Sequence, residues 1–140
     1  MNREKKLLFQ QSGVIPYRIH QGSLEILLIT SRKSKRWVIP KGLIELHMNA
    51  AESAMNEAWE EAGIRGQVSE TAIGTYEYKK WGGTCHVEVF GLHVETLLQD
   101  WPEDSIRQRQ WFSVTKAAER VREADLKQMI LALPTALDRL

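Results

Sequence analysis

The chain has 140 residues, 43% of them hydrophobic and 26% charged, the make-up of one ordinary domain (1-140) with enough apolar material for a core. Nineteen Lys and Arg against eighteen Asp and Glu leave a formal charge of +1, which argues against duplex nucleic acid or an anionic membrane as partner. The single Cys85, a basic start without an apolar core of signal-peptide length, and the lack of any run long enough to span a membrane together predict a cytoplasmic protein.

Leu7 to Ile19 is apolar and β-compatible, interrupted by Gly13 and Pro16, which predicts an edge strand or one that bends. His20-Gln21-Gly22-Ser23 is turn chemistry. Leu24 to Thr30 is a nearly continuous apolar run, so the pair reads as a hairpin. A basic loop, Ser31 to Arg36, leads to Trp37-Val38-Ile39, and Pro40 ends regular pairing there. Asn49 with Glu52 three residues on has the form of a capping box, and Gly63 is a helix stop, so a helix is predicted from about Ala50 to Ala62. Gln67 to Tyr78 and Thr84 to Glu95 read as strands joined by Lys79 to Gly83. Asp100 to Asp104 is a loop and Arg107 to Phe112 a short strand. The remainder reads as helical, with Pro134 kinking or ending the last helix. Strands on either side of a central helix, and a helix at the end, predict an α/β fold with a mixed sheet between helical layers.

The helix from Ala50 to Ala62 breaks two local rules. Ala51, Ala54, Met55, Ala58, Trp59 and Ala62 form an apolar stripe facing a core, while Glu57, Glu60 and Glu61 crowd together on the opposite face. Glu60 and Glu61 also stand in the last turn, where the macrodipole disfavours anions. Clustered carboxylates suit a hard divalent cation, because Mg²⁺ takes oxygen ligands and keeps waters and substrate phosphates in its shell. Pro40-Lys41-Gly42, a turn poor in side chains, lies just upstream. For an anonymous helix, a solvated acidic face is the ordinary explanation.

Gly42, Glu57, Glu60, Glu61, Gly63 and Ile64 stand in the register of the Nudix box. From Gly13 to the final helix, and in Arg32, Trp37-Val38-Ile39-Pro40, Leu98 to Trp101 and Arg109 to Phe112, the chain resembles the diphosphoinositol polyphosphate and diadenosine polyphosphate phosphohydrolase branch of the Nudix family. The resemblance implies an α/β/α sandwich and metal-dependent hydrolysis of a phosphoanhydride in a nucleoside-diphosphate-linked or dinucleoside polyphosphate substrate, with an inositol pyrophosphate as a further substrate class. It implies Mg²⁺ (or Mn²⁺) held by Glu57, Glu61 and a carbonyl near Gly42, with Glu60 as general base. In some relatives the base comes from a later strand or loop, which would make it Glu88 here. Arg32 and Arg109 occupy positions like those of phosphate-contacting residues in the branch.

Two box positions depart from the pattern. Met48 stands where the first glutamate is expected, and Asn56 where an arginine would steady the metal-binding carboxylates. Glu52 is committed to the cap, which leaves Glu45, in the loop, as the better substitute acid. The predicted substrate-side set is therefore Arg32, Lys41, Arg109 and Glu45, drawn from a wider group of cations that includes Lys33, Lys35, Arg36, Lys79, Lys80 and Arg107. Because of the two departures, a domain that binds a phosphorylated ligand without efficient turnover is the second reading, and a purely structural or interaction domain the third.

Trp37, Trp59 and Trp111 are expected in the core or against the sheet. Trp81, between lysines and glycines, is a candidate for stacking on a base, and His47 for contact with substrate or water. His20, His86 and His93 form no zinc spacing with Cys85. The partner is expected to be a small phosphorylated molecule, and the chain a monomer or homodimer.

Overall fold

The computed structural model describes residues 7–138; residues 1–6, which carry the basic start weighed above, and residues 139–140 lie outside them. Eight strands make one mixed sheet: β1 Leu8–His20, β2 Ser23–Thr30, β3 Trp37–Val38, β4 Lys41–Leu43, β5 Ile64–Val68, β6 Gly74–Lys80, β7 Gly83–Leu97 and β8 Arg109–Ser113. Helix α1 (Ala50–Ala62) lies on one face, and α2 (Val114–Arg120) and α3 (Ala124–Leu137) lie on the other. Strand β2 shows why the sequence chooses this arrangement. Ile26 and Leu28 pack in the layer with α2 and α3, whereas Leu27 and Ile29 pack in the layer with Ala54, Ala58 and Ala62 of α1. A strand covered on both faces has to be apolar on both, and β2 is apolar at each position from Ile26 to Ile29, where it is covered.

The centre of the sheet is a parallel pair, β1 with β7, in register from Leu8 and Thr84 to Tyr17 and His93. Both strands change their second partner halfway. β1 pairs with β4 through Gln11–Gly13 and with β2 through Tyr17–His20, and Pro16 falls in the gap between the two pairings. β7 pairs with β6 as far as Val89 and with β5 from Leu92 onward. The short strand β4, held against β1, delivers the chain to the start of α1.

The structure departs from the sequence reading in five places. β1, for which a sheet edge was one of two expectations, lies at the centre of the sheet. The expected single strand Gln67–Tyr78 is two strands, β5 and β6, separated by a turn in which Ser69 N–H donates to Gly91 O at 2.8 Å and Ile73 N–H to Val89 O at 2.7 Å. β4 was not expected. The expected loop Lys79–Gly83 is the tip of a hairpin, with Trp81 at φ 55° and Gly82 at φ 69°. Two successive positive φ values make it a primed turn, matched by Gln21 and Gly22 between β1 and β2. The C-terminal helical region is two helices, and Pro134 is accommodated inside α3.

Candidate functional site

Helix α1 begins as its sequence predicts. The Asn49 side chain accepts from Glu52 N–H at 2.8 Å, and the Glu52 carboxylate accepts from Asn49 N–H at 3.0 Å, a complete capping box. One turn in, buried Ser53 donates to Leu43 O at 3.2 Å and accepts from Glu45 N–H at 3.3 Å, which ties the loop after β4 to the helix. Gly63 ends α1 in the left-handed region at φ 64°. A side chain there would also strike the Trp101 ring, at 2.7 Å, so two separate constraints require glycine.

The last carbonyls of α1 find their partners in the segment 98–109. Glu60 O accepts from Glu103 N–H at 3.1 Å, Glu61 O from the Trp101 indole at 3.0 Å, and Gly63 O from Leu98 N–H at 2.7 Å. Arg109 donates to Ala62 O at 2.8 Å and to Leu98 O at 2.6 Å, and its guanidinium lies 3.9 Å from the centre of the Trp101 ring. Arg109, expected among the substrate-side residues, thus stands at the end of α1 and is not among the residues that line the cleft described below. Its charge is spent at the C-terminus of α1, where a cation offsets the macrodipole and the two anions of the last turn.

An open cleft of about 1330 Å³ lies beside α1. Gly42, Glu45, Glu57, Glu60 and Glu61 line it together with Lys41 and Arg32, so the structure brings together every expected site residue except Arg109. Gly42 is packed so closely on the Glu57 carboxylate that a Cβ at this position would collide with it. The Lys41 N–H donates to Glu61 Oε1 at 3.2 Å, while the ammonium of Lys41 lies 5.0 Å from the Tyr78 ring. Burial pushes the pKa of Lys41 down, opposed by the charge of Glu61. Sequence reasoning had not assigned Glu103, Tyr78 or Arg122 to the site, yet all three line the cleft. Glu88, the other candidate base, is paired with Ser12 and Thr75 inside the sheet and is not among the lining residues. His47 and Met48 are also absent from the lining, whereas Trp81 is present and half exposed. Trp37 packs edge-on against Phe112 and Trp111 joins the layer under α1, as expected; Trp59 does not, being 37% exposed.

Burial pushes Glu57 up to about 8, and the charges of Glu61 and Glu60 push the same way. Glu61 is raised as well, by burial, against the opposing pull of Arg107 and Lys41. This donor set fits a hard cation: ionised carboxylates held together at a cost are what Mg²⁺ relieves. Among the described residues no group of three His, Cys, Asp or Glu side chains is placed to hold a metal ion by itself.

The shift of Glu57 has a consequence for stability. The folded chain holds a proton that the unfolded chain releases near pH 4.5, so metal-free protein is expected to lose stability as the pH rises from 4.5 to about 8. Melting curves recorded in chelator across that window check this, with Glu57→Gln predicted to flatten the slope. A native Tm that climbs through the window, or an unchanged slope in the variant, contradicts it.

A family model described as NUDIX domain matches residues 9–133. The chain is 35% identical over 140 residues to "Nudix hydrolase 17, mitochondrial" of Arabidopsis thaliana, covering 94% of this chain and 75% of that one. It is 34% identical over 129 residues to "Nudix hydrolase 21, chloroplastic" of the same plant, covering 88% and 65%. A shorter match, 36% over 97 residues, is to diphosphoinositol polyphosphate phosphohydrolase 3-alpha of Mus musculus, covering 66% and 57%. The chain spans just under two thirds, 65 to 66%, of the length of the first three curated relatives it matches. Among solved structures, the C. elegans Ap4A hydrolase binary complex superposes with a TM-score of 0.70 at 20% identity, over 94% of this chain and 99% of that one. No helix among the described residues is long and apolar enough to cross a membrane. With a family model covering most of its length, on a mixed sheet between helical layers and with the box glutamates gathered in one cleft, the chain belongs to the Nudix family.

Proposed function

We propose that this protein is a Mg²⁺-dependent pyrophosphohydrolase acting on a nucleoside-diphosphate-linked or dinucleoside polyphosphate substrate. The observation that carries this reading is the lining of the cleft. Glu57, Glu60, Glu61 and Glu103 bring carboxylates to it, and Arg32, Lys33, Arg36, Lys79, Lys80 and Arg122 bring cations. A polyphosphate uses both, through a metal held by the carboxylates and through basic side chains on its outer oxygens. When bound, Mg²⁺ neutralises charge on the phosphoanhydride oxygens and makes water more acidic. Glu57 and Glu61 are the residues to hold it, with a carbonyl near Gly42. Glu60, in the same cleft, accepts the proton of the attacking water.

Trp81 favours a nucleobase over an inositol ring. It is an aromatic residue in a backbone conformation that bulky side chains rarely adopt, half exposed at the cleft with Lys80 4.8 Å from its ring and Phe9 edge-on at 5.2 Å. Cytoplasmic residence remains part of the proposal, with an organelle as the alternative suggested by the names of the plant relatives. The test is a Mg²⁺-dependent screen of diadenosine polyphosphates, nucleotide sugars and an inositol pyrophosphate. Turnover of the adenosine compounds that falls in Trp81→Ala is expected. Stabilisation by these compounds without turnover would replace the enzyme with a binding domain, and a preference for the inositol compound would remove the role given to Trp81.

A further inference from the structure

Helix α1 carries Glu52, Glu57, Glu60 and Glu61 and no lysine or arginine, so any cation that steadies its carboxylates must come from elsewhere in the fold. Asn56, at the box position of the arginine, is neutral. Among the described residues the cation ion-paired with one of these carboxylates is Arg107, in the segment between β7 and β8. Its side chain is only 7% exposed, and its guanidinium spreads over three partners. Nη2 forms an ion pair with Glu61 Oε2 at 3.4 Å, Nε donates to Glu103 Oε1 at 2.9 Å, and Nη1 donates to Thr30 O at 3.0 Å.

We propose that Arg107 is the positioning residue of this site, a cation supplied from the segment before β8 that orients Glu61 and Glu103 in place of an arginine on α1. The proposal rests on the metal-site reading given above and goes further, because it assigns the support of that site to a residue outside the box.

Three features argue for positioning rather than simple surface pairing. First, Arg107 is held by the main chain as well as by the acids. Beside it, Thr30 N–H donates to Gln108 O at 3.0 Å and Gln108 N–H donates to the Thr30 hydroxyl at 2.9 Å, so its neighbour is clamped to the end of β2. Second, both oxygens of Glu61 are engaged: Oε1 by the Lys41 N–H at 3.2 Å and Oε2 by Arg107. A carboxylate pinned at both oxygens presents its remaining lone pairs in one direction. Third, the planar fork serves Glu61, Glu103 and a carbonyl from three separate nitrogens, whereas an ammonium offers all its donors from one point. Arg107 lines the cleft, but the polar contacts of its guanidinium are with Glu61, Glu103 and Thr30 O, so it is assigned to act through the carboxylates it holds.

The test measures Mn²⁺ binding to substrate-free protein by the loss of the free-ion paramagnetic resonance signal, alongside steady-state kinetics on the adenosine compounds. Arg107→Met keeps the side chain's bulk and removes its charge. It is expected to weaken Mn²⁺ binding, and to lower kcat, by about tenfold or more with KM nearly unchanged, the scale typical of residues that orient metal ligands. Arg107→Lys is expected to lie between, about threefold below the native protein. Native affinity and kcat in Arg107→Met overturn the proposal, as does a lysine variant no better than the methionine one. If Arg107→Met does not fold, the lysine variant decides, and equality with the native protein overturns it. A native protein that binds no Mn²⁺ instead overturns the metal-site reading itself.

Discussion

Glu61→Gln is expected to lower Mg²⁺-dependent turnover by about a thousandfold, the scale on which single members of a preorganised catalytic site act, while leaving the fold intact. The amide has the shape of the carboxylate and its oxygen can still accept from the Lys41 N–H, so the contact with β4 survives. What disappears is the charge. Glu61 is buried against Glu57, and burial already raises its pKa, so ionising it costs the folded state more than the unfolded one. Neutralising it removes that cost. Metal-free Glu61→Gln should therefore melt no lower than the native protein at pH 8, even though Arg107 then keeps only Glu103 as an acidic partner. The two measurements belong together. Retained turnover would remove Glu61 from the site, whereas lost turnover with a collapsed Tm would make it a structural residue.

Arg109→Ala is expected to do the opposite, costing stability on the order of 2–4 kcal/mol, or roughly 10 °C in Tm for a domain of this size, with KM little changed. Its guanidinium donates to the carbonyls of Ala62, Gly63 and Leu98 at 2.8, 3.4 and 2.6 Å and covers the Trp101 ring; alanine removes these donors and uncovers the ring, and of the three carbonyls Gly63 O still accepts from Leu98 N–H. Charged donors to carbonyls at a helix end are worth more than neutral ones, and no other cation is bonded to these carbonyls among the described residues. Thermal melts beside kinetics on the same preparation decide the matter. A native Tm with a raised KM would return Arg109 to the substrate.

The contrast between Arg107 and Arg109 shows what could and could not be read from the sequence. The bounds of α1 were legible because they are local: Asn49 with Glu52 starts it, Gly63 stops it, and neither depends on distant residues. The box glutamates were legible for the same reason, since helical spacing alone puts Glu57, Glu60 and Glu61 together. Arg107 and Arg109 stand two residues apart in one basic segment, and nothing local separates them. Only the pairing of β8 with β2, through Arg109 and Ile29, sends one to the end of the helix and leaves the other facing the cleft. β4 was missed because a three-residue strand has no pattern of its own and exists only against Gln11–Gly13. The reading of Gln67–Tyr78 as one strand failed because a turn at Ser69–Ile73, stabilised by bonds to β7, interrupts a composition that looks uniformly extended.

The segment 98–109 closes the end of α1 with Trp101, Glu103 and Arg109, and it carries Glu103 and Arg107 into the cleft. Its two duties constrain how the protein can be re-engineered. Exchanging this segment for one from another scaffold, in the hope of admitting new substrates, would loosen the helix that bears the glutamates before it altered selectivity. The hairpin tip at Trp81–Gly82 has no such tie to α1 among the described residues; Gly82, at φ 69°, is kept for the turn, which leaves the side chain at Trp81 as the one to vary. Diversity aimed at substrate choice belongs at the hairpin, and the 98–109 segment is the part of the cleft to leave alone.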